Sequence, residues 1–142
     1  MSGSTLRTIS IERTAKARYD VHNVRGGTIS IGEGEDTDFT PVELLLVAIA
    51  GCTAIDIDYI TSKRAEPLEL SATATGDKIR SAEHGNHMTN LELTFTVTFP
   101  EGEGGDAARE ALPLALQRSH ERLCAVGRTV EAGTPITMKL SR

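Results

Sequence analysis

The most informative segment of this chain is residues 40–64, which read TPVELLLVAIAGCTAIDIDYITSKR. It begins with the signals of a helix start. Thr40 can cap the helix and Pro41 suits the first helical position. Glu43 stands three residues after Thr40, so the two side chains can form a capping box. The sequence therefore predicts a helix that begins at Pro41.

The body of this helix is apolar on all sides. Every residue from 44 to 52 is apolar or small, and such a helix must be covered on every side. Lys63 and Arg64 suit its C-terminal end, and Pro67 stops it. The helix is thus about 24 residues long, or roughly 36 Å. Because that is long for so small a domain, we expect a central helix that a second subunit partly buries.

Period-two alternation of polar and apolar residues predicts strands on both sides of the helix. The predicted strands are residues 6–13, 16–23, 28–31, 68–75, 91–99 and 136–140. Gly26 and Gly27 supply a turn between the second and third strands. Residues 76–90, which contain His84 and His87, are expected to form a connecting loop.

A second helical region follows the strands. Asp106 is expected to cap a helix over residues 107–123, and Pro113 should kink or split it. Residues 126–131 form a further helical turn that ends at Gly133. The order β-β-β-α-β-β-α-β indicates one α+β domain over residues 1–142, with helices on one face of a mostly antiparallel sheet.

Composition narrows the classes of function. The chain has 142 residues and a net charge of −5, from 15 basic and 20 acidic residues. An acidic chain without tryptophan is not expected to bind nucleic acid or an anionic membrane. No apolar run approaches the roughly 20 residues of a membrane span, and no secretory signal is visible. We therefore expect a cytoplasmic protein with no membrane partner.

Two cysteines, Cys52 and Cys124, are the candidate reactive groups. Without an export signal a permanent disulfide is not expected, so they are either two inert core thiols or a redox-active pair. Gly51 costs about 1 kcal/mol relative to alanine in mid-helix and lets a second helix or a substrate approach closely. Asp56, one turn after Cys52, would raise the pKa of that thiol. A reactive Cys52 therefore needs a cation from elsewhere in the fold.

Histidines are the other candidates for chemistry. His120 lies four residues before Cys124, so on a continuous helix the imidazole would share a face with the thiol and could activate it. A solvated histidine is the simpler expectation. His84 and His87 have a metal-ligand spacing, but the sequence places no third ligand beside them. No metal site is predicted.

Four segments of the chain resemble the OsmC/organic hydroperoxide resistance superfamily. Residues 40–56 match its Pro-x-Glu-Leu-Leu helix start and the Ala/Gly-rich stretch that ends in cysteine. Residues 121–126, ERLCAV, are similar to the surroundings of the second family cysteine. Residues 87–91 and 133–136 are also similar to the corresponding family segments, so the resemblance covers nearly the whole chain.

The resemblance implies an OsmC-like α+β fold and an intertwined homodimer with two active sites at the subunit interface. It also implies a thiol peroxidase that reduces organic hydroperoxides to alcohols. In that reaction Cys52 is the peroxidatic thiolate, which becomes a sulfenic acid, and Cys124 resolves it as a disulfide. An external dithiol then restores both thiols. No metal, haem or flavin cofactor is implied.

Two further site residues are carried over from the family with a departure from its pattern. The family peroxidases use an arginine to lower the pKa of the reactive thiol and a glutamate, ten residues before that thiol, to orient the arginine. Arg25, the first residue of an Arg-Gly-Gly triplet, is the best match for the arginine. Val42 stands ten residues before Cys52, so Glu43 is the candidate one position later. Weaker candidates for the arginine are Arg13 and Arg18.

The displaced glutamate keeps another function open. The chain could be an OsmC-like ligand-binding or redox-sensing protein with weak or no peroxidase activity. It could also be a structural protein with two inert thiols.

Overall fold

The computed structural model describes residues 5–141. Its elements are β1 (Ile9–Ala15), β2 (Arg18–Asn23), β3 (Thr28–Ile31), α1 (Pro41–Ser62), β4 (Glu69–Ser81), β5 (Gly85–Thr98), α2 (Glu103–Arg118), a π-helical turn (Ser119–Leu123) and α3 (Ala125–Glu131). Strands and helices are thus mixed in one chain, which confirms the predicted α+β class. The chain forms two compact units, which divide after residue 45. That all 142 residues form one domain stays a prediction.

The N-terminal unit contains a three-stranded antiparallel sheet in the order β1-β2-β3. The predicted turn between β2 and β3 is confirmed. Its Gly26 has φ 96°, a left-handed conformation that glycine adopts without strain. The Asn23 side chain accepts hydrogen bonds from the backbone N–H groups of Arg25 and Gly27, both at 2.9 Å. An asparagine that bonds to the backbone beyond it is a common way to close such a turn.

The start of α1 is the capping box that the sequence predicts. The Thr40 N–H donates to Glu43 Oε1 at 2.8 Å, and the Glu43 N–H donates to Thr40 Oγ1 at 3.2 Å. Each side chain thus satisfies a backbone donor that the helix itself leaves unpaired. The helix begins at Pro41 and ends at Ser62, two residues before the predicted end.

In the C-terminal unit, α1 buries one face and exposes another. Its buried residues are spaced four apart: Ile49, Thr53, Ile57 and Thr61. On the other side Val47, Ile55 and Tyr59 are 50%, 59% and 72% exposed. A Cβ added to Gly51 would meet no described atom within 4 Å, so the close approach expected there does not come from this chain. The single chain therefore covers one face of the helix, and burial of the other face by a second subunit stays a prediction.

Helix α1 is the one element among the described residues that is long and apolar enough to bear on the expectation about membrane spans. By length and composition alone its 22 residues could cross a bilayer. Charged residues in its C-terminal half interrupt the apolar run, so the sequence shows no continuous apolar stretch of membrane-spanning length. The core helix of a soluble protein has the same length and composition, so this property is weak evidence for a membrane.

Strands β4 and β5 form a second, two-stranded antiparallel sheet, so there are two sheets among the described residues where one was predicted. The predicted loop over residues 76–90 is wrong, because both strands continue through it and pair as far as Ser81 and Gly85. The register shifts between Thr75 and Asp77. These added strand residues are largely polar, so they lack the alternation by which the sequence identified strands.

Helix α2 differs from its prediction at its start and at its proline. It begins at Glu103, and its N-cap is Gly102, which provides no side-chain cap. Asp106 is therefore not the cap, and its carboxylate instead pairs with Arg109 at 2.6 Å. The helix also continues through Pro113, where only the hydrogen bond to the Arg109 carbonyl is lost. The predicted interruption occurs later, at the π-helical turn.

The C-terminal end confirms one prediction and overturns another. Helix α3 ends close to Gly133, which has φ 65° as expected of a helix-terminating glycine. The predicted strand over residues 136–140 is wrong for the single chain. Its alternating residues Ile136, Met138 and Leu140 are 83%, 89% and 92% exposed. No described strand pairs with this segment, so it is not part of a sheet in the single chain despite its alternating sequence.

Candidate functional site

The structure brings Cys52 and Cys124 together within the C-terminal unit. Cys52 lies on α1 and is half-buried, whereas Cys124 lies between the π-helical turn and α3 and is 2% exposed. The two thiols are in hydrogen-bond contact, and neither is in a disulfide. Two thiols in contact are candidates for disulfide formation.

Backbone N–H groups at the start of α3 contact both sulfur atoms. The Gly127 N–H donates to Cys124 Sγ at 3.2 Å, so the Cys124 side chain caps α3. The Val126 N–H donates to Cys52. A thiolate accepts hydrogen bonds better than a thiol does, so the Val126 N–H favours the ionised form of Cys52. The start of α3 is therefore part of the sulfur site.

The position of Cys124 is fixed by the turn that precedes it. The Cys124 N–H donates to the Ser119 carbonyl at 2.9 Å, which closes the wide ring of a π-helical turn. Because this turn interrupts the helix, the condition for His120 and Cys124 to share a face is not met, and the expectation of a solvated His120 is confirmed. The His120 side chain is 72% exposed and lies 3.8 Å from a Glu131 carboxylate oxygen.

Ser119 ties the π-helical turn to α1. Its hydroxyl oxygen lies 2.9 Å from Asp56 Oδ2 and 3.0 Å from Thr53 Oγ1. An ionised carboxylate only accepts, so Ser119 donates to Asp56 and accepts from the Thr53 hydroxyl. Ser119 is fully buried and Thr53 is 7% exposed. The three side chains therefore form a satisfied polar cluster next to the cysteines.

The surroundings of Cys52 raise its pKa. Burial is the largest cause, because it disfavours the charged thiolate. The hydrogen bond and the electrostatic interaction with Cys124 raise this pKa further, and so does the charge of Asp56, as the sequence predicted. The Val126 N–H acts in the opposite direction. Within residues 5–141, no cationic side chain contributes to lowering this pKa.

A cavity of about 630 Å³ reaches Cys124. Its walls come from α1, β5, α2, the π-helical turn and α3. The lining residues are Ile49, Thr53, Leu91, Glu92, Leu93, Thr94, Phe95, Leu116, His120, Cys124, Gly127, Val130 and Glu131. Most of them are apolar, and His120 and Glu131 add a polar edge. A small molecule with an apolar body could bind in this cavity.

The two remaining predicted site residues lie in the N-terminal unit. Arg25 follows β2 in the turn and is exposed. The Glu43 carboxylate is occupied by the Thr40 N–H in the capping box. The catalytic roles of Arg25 and Glu43 stay predictions. The weaker arginine candidate Arg18 instead forms ion pairs with Asp36 and Asp38.

The histidine pair does not belong to a larger metal-binding group in the described part of the chain. The rings of His84 and His87 contact each other edge to face, with centroids 5.3 Å apart. Among residues 5–141 no three His, Cys, Asp or Glu side chains converge as metal ligands would.

Sequence reasoning missed Ser119 and the Val126 N–H. Ser119 looked like an ordinary residue of a long helix, because a π-helical turn has no clear signal in a single sequence. A backbone donor such as that of Val126 does not depend on its side chain at all. Asp56, one turn after Cys52, was visible, and it indicated only a raised pKa for the thiol.

A family model and a curated relative both match most of this chain. The model of the family described as "OsmC-like protein" matches residues 33–139. An uncharacterized protein of Mycobacterium tuberculosis, Rv2923c, is 30% identical over 133 residues, which cover 92% of this chain and 93% of that protein.

Two solved structures share the fold. An OsmC-like protein of unknown function from Vibrio cholerae superimposes with a TM-score of 0.75 at 14% identity, over 90% of this chain and 95% of the other. The organic hydroperoxide resistance protein OhrB of Bacillus subtilis has a TM-score of 0.55 at 13% identity, over 87% and 90% of the two chains. At these identities the likeness establishes the fold alone.

Proposed function

We propose that this chain, which belongs to the OsmC-like family, is a cysteine-based peroxidase that reduces organic hydroperoxides to alcohols. The observation that carries the proposal is the contact between Cys52 and Cys124, 72 residues apart in sequence. The family suggests a redox-related role, and one structural relative is named for organic hydroperoxide resistance. Two thiols in contact supply the chemistry that such a role needs.

The first step takes place at Cys52. Its thiolate attacks the terminal oxygen of the hydroperoxide, the O–O bond breaks, and the alkoxide leaves and takes up a proton to become the alcohol. Cys52 is thereby oxidised by two electrons to a sulfenic acid. Hydrogen bonding from the Val126 N–H supports this step, because it stabilises the thiolate.

The second step uses Cys124. Its sulfur attacks the Cys52 sulfenic acid, a disulfide forms, and hydroxide leaves with the thiol proton as water. An external dithiol then reduces the disulfide through a mixed disulfide, and both thiols are restored. The contact between the two sulfur atoms supports an efficient second step, since the attacking atom starts next to its target.

The cavity beside Cys124 supports organic molecules as reactants. Its apolar walls would bind an alkyl chain with a gain of roughly 0.8 kcal/mol per buried CH₂ group. Hydrogen peroxide has no such group and would gain nothing from these walls. The proposed substrates are therefore alkyl or lipid hydroperoxides.

Activation of Cys52 needs a positive charge, since its surroundings raise its pKa. In the proposal, Arg25 supplies that charge and Glu43 orients the arginine, as the family pattern implies.

A homodimer is part of the proposal. Exposed apolar residues Val47, Ile55 and Tyr59 surround Gly51, a position without a side chain that would keep a second helix away. The exposed residues of segment 136–140 add a second apolar surface. A second copy of this chain would bury both surfaces and explain why α1 is apolar on all sides. The dimer is proposed to act in the cytoplasm, without a nucleic-acid or membrane partner.

The test is turnover with cumene hydroperoxide and a dithiol. The wild-type protein should consume the hydroperoxide with the dithiol as electron donor, and Cys52→Ser should not. Cys124→Ser should complete one oxidation of Cys52 and then accumulate a sulfenic acid that dimedone traps. A wild-type rate no higher than that of Cys52→Ser would remove the peroxidase proposal.

One observation favours the second candidate, a ligand-binding or redox-sensing protein with weak peroxidase activity. The raised pKa of Cys52 leaves little thiolate at neutral pH unless a cation approaches it. Alkylation of Cys52 as a function of pH separates the two functions. A thiol that ionises well below the range of free cysteine supports the peroxidase, and one that ionises at or above that range supports the sensor.

A further inference from the structure

We propose that Ser119, held by Asp56 and Thr53, is the positioning residue that presents Cys124 to Cys52 for disulfide formation. The inference deepens the proposed function and rests on it. It concerns the second step of the reaction, in which the two sulfur atoms must meet.

The Ser119 side chain binds to the same part of α1 that carries Cys52. Thr53 follows Cys52 directly, and Asp56 lies one helical turn beyond it. The Ser119 hydroxyl is bonded to both, at 3.0 Å and 2.9 Å. One of the two is a bond to a carboxylate, which is stronger than a bond between neutral groups.

The Ser119 backbone binds Cys124. Its carbonyl oxygen accepts the Cys124 N–H at 2.9 Å, which is the bond that closes the π-helical turn. Ser119 therefore contacts the helix of Cys52 through its side chain and Cys124 itself through its main chain. Few residues lie between the two sulfur atoms along this path, so loss of the hydroxyl should widen the range of positions that Cys124 occupies.

The geometry of the turn also matters. A π-helical turn is rare and contains one residue more per ring than an α-helical turn, and such turns often occur at functional sites. Here the turn ends the helical region at Cys124, which takes an extended conformation with ψ 98°. Its sulfur then caps α3 and faces Cys52. A disulfide requires the sulfur atoms to approach to about 2.05 Å, so a fixed starting position favours it.

A purely structural role for Ser119 makes a different prediction. If Ser119 only satisfied buried polar groups, its loss would lower stability and leave the equilibrium between the dithiol and disulfide forms unchanged. A positioning role requires that this equilibrium moves. The two roles therefore differ in a redox potential, which global stability alone does not set.

The experiment measures the effective concentration of the two thiols against glutathione. Two protein thiols and one glutathione disulfide give the protein disulfide and two glutathione thiols, so electrons balance and no hydroperoxide is needed. We expect Ser119→Ala to lower the effective concentration at least tenfold, which shifts the reduction potential by about 30 mV. The control is Thr61→Val, which also removes a fully buried hydroxyl but one bonded only within α1.

A second variant pair tests whether Ser119 acts through Asp56. Asp56→Ala should lower the effective concentration as Ser119→Ala does, and the double variant should lower it little further. The matched control is Asp58→Ala, an exposed carboxylate on the same helix, which should leave the equilibrium unchanged. Circular dichroism verifies that each variant is folded. If Ser119→Ala does not fold, Asp56→Ala tests the proposal in its place.

The outcomes are separate from those of the peroxidase test. An effective concentration within twofold of wild type in folded Ser119→Ala overturns the positioning role, even if the protein reduces hydroperoxides. An equally large loss in Thr61→Val overturns it as well. A tenfold loss confined to Ser119→Ala and Asp56→Ala supports it, even in a protein without peroxidase activity.

Discussion

Oxidation of the two cysteines to a disulfide should stabilise the protein by an amount that depends on the length of the loop that the disulfide closes. A bond between Cys52 and Cys124 closes a loop of 72 residue steps, entirely within the unit that follows residue 45. Loop-closure entropy in the unfolded chain then gives a stabilisation of about 4 kcal/mol. This amount applies to a bond that leaves the folded chain unstrained, and the contact between the thiols favours such a bond.

The assay is thermal unfolding of the oxidised and the reduced protein, followed by circular dichroism. For a chain of this length each kcal/mol raises Tm by about 3 °C, so we expect the oxidised protein to unfold about 12 °C higher. Cys124→Ser is the control, because it cannot form the bond and its Tm should not respond to a reductant. Equal Tm values for fully oxidised and reduced wild-type protein would refute the reasoning, since they would mean that closing the bond distorts the fold.

Three other changes test separate parts of the structure. In Arg25→Ala, which lacks the proposed activating charge, alkylation of Cys52 followed by peptide mapping should keep accelerating with pH beyond the range in which free cysteine levels off, because burial raises the Cys52 pKa. Adding Asp56→Asn to that variant should move the curve to lower pH, because the negative charge beside the thiol is removed. Thr40→Ala should lower the free energy of unfolding by about 1 kcal/mol in urea titrations, because the Glu43 N–H then loses its acceptor, Thr40 Oγ1. Gly51→Ala should weaken the dimer in sedimentation experiments, because the added methyl group would lie between the packed helices. In a monomer with open space at this position it should instead stabilise the helix by about 1 kcal/mol.

The parts of the fold that depend on local chemistry were predictable from the sequence. The capping box of Thr40 and Glu43 follows from two side chains three residues apart, and the structure contains both of its hydrogen bonds. The turn at Gly26 likewise follows from the residues within it. Such features need no distant partner, so one sequence contains all the information about them.

The elements that depend on distant partners were harder to predict. Segment 136–140 has the alternation of a strand, but a strand also needs a neighbour, and the described chain offers none. Residues 76–90 show the reverse case, since β4 and β5 pair there without a continuous apolar pattern. Strand pairing depends on which segments become neighbours in the fold, and the local pattern of polar and apolar residues does not contain that information.

The candidate site could be predicted in part. The family resemblance singled out Cys52 and Cys124, and the structure brings them into contact although they lie 72 residues apart. The groups that hold them in place were not visible, because Ser119 gains its role only from the π-helical turn and from the position of Asp56. Sequence thus indicated which atoms could react, and the structure added what positions them.

The most direct measurement is intact-mass and peptide mass spectrometry of the reduced protein after one equivalent of cumene hydroperoxide. The account predicts that each chain loses two hydrogen atoms, with Cys52 and Cys124 joined in one cross-linked peptide, and that one cumyl alcohol forms per chain. Two free thiols alongside unconsumed hydroperoxide would contradict it.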